Sequence, residues 1–171
     1  MNQEMLYYTT LPSPIGDLLL LADGDALVGL YLEDDCRRPT PSALWRRDDD
    51  VLDSACDQLA AYFVGELKTF TIRLTPRGSA FQLRVWDLLR HIPFGTTVSY
   101  GELAQRLDRP NASRAVGAAN AANPISIIVP CHRVVGSDGA LTGYAAGMER
   151  MKWLLDHESR VESRVESRLS A

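Results

Sequence analysis

The hydrophobic pattern of the chain changes period once, close to Pro76-Arg77-Gly78-Ser79. Before that point apolar residues come in short runs separated by turn residues. After it they recur at helical spacing. The pattern predicts an α/β N-terminal domain over residues 1–75, a linker at 76–80 and a mostly α C-terminal domain over 81–158. In the first part, residues 5–10, 17–22 and 26–32 read as strands. They are separated by turns at Ser13-Pro14-Ile15-Gly16 and Asp23-Gly24-Asp25. Residues 33–50 are polar and read as a loop. Residues 51–63 form a helix that places Val51, Leu52, Ala55, Leu59, Tyr62 and Phe63 on one face, with Gly65 as its stop. A last strand is expected at 69–74.

In the second part, residues 80–91 align Phe81, Val85, Leu88 and Leu89 on one stripe, ended by Pro93-Phe94-Gly95. Ser99 is placed to cap a helix over 100–107, with Glu102 completing a capping box. A turn at 108–111 leads into a helix over 112–122. This helix-turn-helix spacing suits DNA binding, although taken alone it more often reflects ordinary helix packing. The second helix, ASRAVGAANAA, carries almost only small side chains around Arg114. So slim a face lets a helix approach either a surface or another helix closely. The tail ESRVESRVESRLSA stacks Glu on Glu and Arg on Arg at i,i+4, which is unfavourable in a helix. A disordered tail is therefore expected over residues 159–171.

Composition narrows the function classes. Hydrophobic residues make up 46% of the chain, enough for a core. No apolar run reaches the ~18 residues of a membrane helix, and the N-terminus lacks the pattern of a signal peptide. Three cysteines with no CxxC spacing point to free thiols in a reducing compartment, hence the cytoplasm. The net charge is −4, with 7 Lys and Arg against 13 Asp and Glu in residues 1–80, but 8 against 7 in residues 81–158. The second half can face DNA without strong repulsion, and any such affinity is expected to rest on geometry instead of a basic patch.

The chemistry concentrates in Ile127-Ile128-Val129-Pro130-Cys131-His132-Arg133-Val134. A thiolate is the reactive form of cysteine, and a neighbouring base or cation favours it. Neighbours on a strand point to opposite faces, so contact between Cys131 and His132 requires a turn or a bridging water. Pro130 supplies a break. A basic histidine needs an orienting carboxylate, and Glu158 is available for this role. On residue types and spacing alone, a catalytic thiol and a buried inert cysteine beside a satisfied histidine both stand.

The heptamer Ile128–Val134 resembles the active-site signature of the O6-alkylguanine-DNA alkyltransferases. The resemblance extends to Ser13-Pro14-Ile15-Gly16, FQLRVWDLLRHIPFGTTVSYGELA (81–104), SRAVGAANAANP (113–124), GYAAG (143–147) and WLLDHE (153–158), leaving out only the 33–50 loop and the tail. It implies an RNase-H-like N-terminal sheet with a helix, then a helical domain whose helix-turn-helix enters the minor groove of double-stranded DNA. It implies extrusion of O6-alkylguanine, with O4-alkylthymine as a further candidate, and one irreversible alkyl transfer to the protein.

In that resemblance Cys131 is the alkyl acceptor, His132 the base acting through a water and Glu158 the carboxylate that orients it. Tyr100 crowds the target phosphate and serves as proton donor. Asn123 supports the turn before the cysteine. Arg114 fills the gap left by the base, with Ser99 and Ala115 also at the DNA. The backbone of Cys131 and Val134 reads the base edge, and Tyr144 and Ala145 close over it. No cofactor, membrane or obligate protein partner is implied, and the protein is expected to be a monomer that can cluster on DNA.

Two features depart from the family. Some members carry zinc in the N-terminal domain, whereas Cys36 and Cys56 have no histidine near them in sequence and read as structural or incidental; no metal site is expected. Asn120 stands where family members often have a small residue. Three competing readings are a cysteine hydrolase using Cys131, His132 and Glu158, a non-enzymatic binder of damaged DNA, and a helix-turn-helix regulator.

Overall fold

The computed structural model describes residues 4–170. The chain divides into two compact units. One runs to Arg77 and includes Pro124–Ser126; the other comprises Gly78–Asn123 and the residues from Ile127 onward.

The first unit is built on a four-stranded mixed sheet of β1 (Tyr7–Leu11), β2 (Leu18–Asp23), β3 (Ala26–Tyr31) and β4 (Arg46–Arg47), in the order β3-β2-β1-β4. The pairs β1–β2 and β2–β3 are antiparallel; β1–β4 is parallel. Five of the six residues of β2 are buried, which accounts for its unbroken apolar run in place of alternation. Leu19, Leu21 and Val28 form a core cluster, packed by Leu6, Tyr8, Tyr31 and Trp45. Helix α1 (Asp53–Phe63) buries Ala55, Leu59 and Tyr62. Val51 lies before the helix and is exposed.

Two expectations fail locally. The 33–50 loop contains β4, which pairs Arg46 and Arg47 with Tyr7 and Tyr8. Residues 69–74 do not form a strand: Leu74 makes one isolated bridge to Leu27, while Gln58 binds Thr71 through both its amide atoms and Phe70 packs on Tyr62. Side chains of α1 thus replace ladder partners along this segment.

The second unit holds α2 (Ala80–Arg90), α3 (Tyr100–Arg106), α4 (Ser113–Ala121) and α5 (Met148–Leu169), with a two-stranded parallel pair of β5 (Val98–Ser99) and β6 (Val134–Val135). Residues 78–80, expected in the linker, begin this unit. Ser79 caps α2 in a full capping box with Gln82, and Gly78 lies so close to Trp86 that a Cβ there would stand 2.5 Å from the indole. The order of an α/β part followed by a helical part holds. Helices α2 and α3 both pack on α4, and Trp86 donates to the Ala119 carbonyl at 2.8 Å.

The tail departs most from expectation. Helix α5 continues to Leu169 through the repeat. The first glutamate of the column, Glu158, is buried among cations and does not repel its neighbours in solvent. Val161 is 6% exposed, and Glu162 covers the turn at Gly95. The three remaining like-charge pairs, 162/166, 160/164 and 164/168, together cost about 0.6–1.5 kcal/mol, whereas burying Val161 contributes roughly 1.5–3 kcal/mol, so packing prevails. Val161→Ala is expected to lower unfolding stability by about 1–3 kcal/mol. Leu169→Ala, at a position 82% exposed, should change it by less than ~0.5 kcal/mol. Urea denaturation of both variants checks this.

Candidate active site

The residues from Pro130 to Arg133 make a sharp turn between α4 and β6. Cys131–Arg133 form a single 3₁₀ turn, so His132 and Arg133 are not held on opposite faces as they would be on a strand. Two features fix the approach to this turn. Asn123, fully buried, donates its Nδ2 hydrogen to the Val129 carbonyl at 2.9 Å. Ile127 has φ +70°, a left-handed conformation that costs a β-branched residue about 1–3 kcal/mol and persists only where its surroundings dictate it. Ile127 is fully buried.

Cys131 is a thiol only 4% exposed. His132 is completely buried, and its Nε2 lies 2.8 Å from Glu158 Oε1. An ionised carboxylate can only accept, so Nε2 carries the hydrogen and Nδ1 of the neutral ring keeps a lone pair. That Nδ1 has no hydrogen-bond partner among the described residues. Arg133 approaches the same carboxylate as a fork, Nη2 to Oε1 at 2.8 Å and Nε to Oε2 at 3.0 Å. Its Nη1 donates to the Ile92 carbonyl at 2.7 Å, and its Cζ lies 5.6 Å from the centre of the Phe94 ring. Gly95 donates its N–H to Glu158 Oε2 at 3.1 Å from a left-handed turn, φ +75°.

Burial pushes the Glu158 carboxyl up, but the hydrogen bonds and charges of His132 and Arg133 outweigh it and hold the group well below the usual carboxylate range. Burial also lowers His132, against the hydrogen bond and charge of Glu158; Arg133 and His157 lower it further. The ring is therefore neutral near pH 7. A buried thiol beside a neutral imidazole with an open lone pair can transfer its proton and act as a nucleophile.

The remaining candidates fall into two groups around this centre. Ser99 caps α3, its oxygen accepting from Glu102 N–H, which leaves the hydroxyl hydrogen available. Tyr100 donates its hydroxyl to the Thr142 carbonyl at 3.2 Å, tying α3 to the loop before Tyr144 and Ala145, both half-buried. On α4, Val116, Ala119 and Asn120 face inward, while Arg114, Ala115 and Ala118 are exposed. The slim helix thus divides into a packing face and an open face. Val134 is buried in β6, paired with Val98.

Three contributions are not read from the sequence: the Gly95 N–H on Glu158, the Arg133 fork, where the residue reads only as a cation beside the thiol, and Asn120, which is buried and donates its Nδ2 hydrogen to the Cys131 carbonyl at 3.3 Å instead of altering a groove contact. Arg133 carried a usable signal, since an arginine set among valines must find a buried anion. Cys36 is exposed, and Cys56 is half-buried with its thiol pushed up to about 11 by burial and by Asp53, Asp49 and Asp57. Among the described residues no group of three or more His, Cys, Asp or Glu side chains is arranged to hold a metal.

Comparison with known proteins decides the family. Residues 80–160 match the DNA binding domain of 6-O-methylguanine DNA methyltransferase, and residues 6–76 match its ribonuclease-like domain. The chain belongs to the 6-O-methylguanine DNA methyltransferase family. It is similar to members named methylated-DNA–protein-cysteine methyltransferase. The one from Mycobacterium bovis is 48% identical over 154 residues, 90% of this chain and 93% of that protein. The one from Methanosarcina acetivorans is 45% identical over 153 residues, 90% and 98% of the two. The crystal structure of Mycobacterium tuberculosis OGT in complex with DNA superposes with a TM-score of 0.85 at 47% identity, covering 91% of this chain and 94% of that one. Among the described residues no helix is long and apolar enough to cross a membrane.

The Glu158 network makes a pH prediction. A carboxylate whose folded pKa is depressed contributes stability that is present above its unfolded value, about 4.3, and lost as pH falls below it. Thermal unfolding temperature should decline as pH falls below roughly 5. Glu158→Gln should be less stable at pH 7 and show a shallower decline in acid. Parallel declines in the two proteins would contradict this assignment.

Proposed function

We propose that this protein repairs O6-alkylguanine in double-stranded DNA by moving the alkyl group onto Cys131, once per molecule. The observation that carries the reading is the buried Cys131 thiol in one turn with His132, whose Nδ1 is open and whose Nε2 is fixed on Glu158. A thiol 4% exposed reacts only with something delivered into the protein, and a base stacked in a duplex cannot reach it. Extrusion of the base supplies that delivery.

His132 accepts the thiol proton at Nδ1, directly or through a water. The sulfur electron pair forms the S–C bond, and the C–O6 bond breaks with its pair passing to the purine. A proton from Tyr100 or solvent then completes the guanine. The thioether has no route back to a thiol, so no second turnover follows.

Other residues take the surrounding roles. Exposed Arg114 and Ala115 on α4 face the minor groove, with Arg114 filling the vacated stack and Ser99 donating to the backbone. Tyr100 exchanges its Thr142 carbonyl for the target nucleotide. The Cys131 and Val134 carbonyls accept from the guanine amino group, and Tyr144 and Ala145 close over the base. Asn123 keeps the turn before Cys131 in shape, supported by its bond to the Val129 carbonyl. O4-alkylthymine presents the same ether geometry and is a second substrate to assay. The protein acts as a monomer that can gather on DNA, and three thiols without a disulfide suit the cytoplasm.

The test is an intact and peptide mass spectrum after mixing with a duplex that carries one O6-methylguanine. One methyl on the Cys131 peptide, guanine restored and no further turnover are expected. Binding without a mass gain would make the protein a damage binder, and repeated turnover on a small ester would make it a hydrolase. In addition, Arg114→Ala should slow repair in duplex by roughly tenfold or more, because extrusion costs a few kcal/mol. Reaction with free O6-benzylguanine should stay within about twofold, since no stack is vacated. Equal slowing of both would remove the gap-filling role.

A further inference from the structure

Arg133 is the member of the cluster to which alkyl transfer gives no task. It is 5% exposed, and its guanidinium is shared between the Glu158 carboxylate and the Ile92 carbonyl. Anchoring alone does not call for an arginine, because well-packed apolar residues commonly serve a buried site as well as an ion pair does. A permanent cation does one thing an apolar side chain cannot: it cancels the charge of Glu158.

That charge matters to the neighbouring ring. A carboxylate 2.8 Å from Nε2 stabilises the imidazolium form and so draws a proton onto Nδ1. A ring already protonated there cannot take the thiol proton. The groups that face His132 are Glu158 and His157 from α5, with Cys131 and Arg133 from its own turn. Arg133 is the permanent positive charge in the set. Its fork engages both oxygens of Glu158, while His132 engages Oε1.

We propose that Arg133 is a positioning residue for the transfer: by neutralising Glu158 through a two-point fork, it keeps His132 uncharged at neutral pH, with Nδ1 open to the Cys131 proton. The carboxylate then orients the ring without protonating it. This rests on the reading of Cys131 as the alkyl acceptor. Burial acts on His132 in the same direction as Arg133, and Glu158 acts against both.

The test is an NMR titration of the His132 imidazole in the full chain, for wild type, Arg133→Gln and Arg133→Lys. Transfer from O6-benzylguanine to Cys131 is followed over the same pH range. Arg133→Gln is expected to raise the His132 midpoint by about one pH unit or more, and the acid limb of the transfer rate should move up with it. Arg133→Lys, which keeps the charge but loses the fork, should move it less.

A folded Arg133→Gln protein whose His132 titrates with wild type overturns the proposal. If that variant does not fold, Arg133→Gln combined with Glu158→Gln leaves no unpaired buried charge. The proposal then requires this double variant to titrate above Glu158→Gln alone, in which the uncompensated Arg133 charge depresses the ring, and equal midpoints in the two overturn it. The titration needs no alkyl transfer. A wild-type protein that leaves Cys131 unmodified would therefore refute the functional reading alone. An unmoved midpoint together with alkylated Cys131 would refute only the role of Arg133.

Discussion

One buried carboxylate organises the second unit. An ionised Glu158 in the interior is tolerated only if its oxygens are fully engaged, because an unpaired buried charge costs several kcal/mol. Two segments distant in sequence meet that demand on the glutamate of α5: the 93–96 turn through the Gly95 N–H, and the 3₁₀ turn through His132 and Arg133. Shape requirements follow. Gly95 must adopt a left-handed conformation to aim its N–H, Arg133 must reach the Ile92 carbonyl with its remaining arm, and α5 must be long enough to seat Val161 and Glu162 against the turn.

The 3₁₀ turn resolves the geometric difficulty posed by adjacent functional residues. On a strand, His132 and Arg133 would diverge. Within a tight turn both reach one carboxylate, while Cys131 stays buried beside them. Forming this turn has a local cost, visible in the left-handed Ile127, and the Asn123 to Val129 bond spans the strained stretch. The polar side chains from Asn120 to Glu158 thus act as braces on a backbone whose course apolar packing alone does not determine.

Much of this was legible in the sequence where a single element carries the signal. The change of hydrophobic period separated an α/β part from a helical part. Ser99 and Glu102 announced the start of α3 through capping chemistry. Less legible were features that depend on distant partners. The 69–74 segment has strand-like composition, yet Gln58 and Tyr62 of α1 engage it where a ladder was expected. The tail has an unfavourable charge column, yet its first glutamate is removed from solvent by Arg133, 25 residues earlier. Arg133 reads in sequence only as a cation beside the thiol for the same reason: its anion is not near in sequence, and Glu158 already had a natural role with His132. The motif resemblance supplied roles for Arg114, Tyr100 and Tyr144 that spacing alone could not give.

The position of Glu158 along the chain also bears on biosynthesis. Cys131, His132 and Arg133 leave the ribosome before the carboxylate that completes their environment, which α5 carries 25 residues after Arg133. Until then Arg133 has no buried anion to pair with, so the turn has no reason to close into the interior and the imidazole has no fixed orientation. Synthesis therefore orders the events: the second unit cannot consolidate around its thiol until residue 158 has emerged. A chain that stops short of residue 158 lacks the carboxylate that fixes the imidazole beside Cys131.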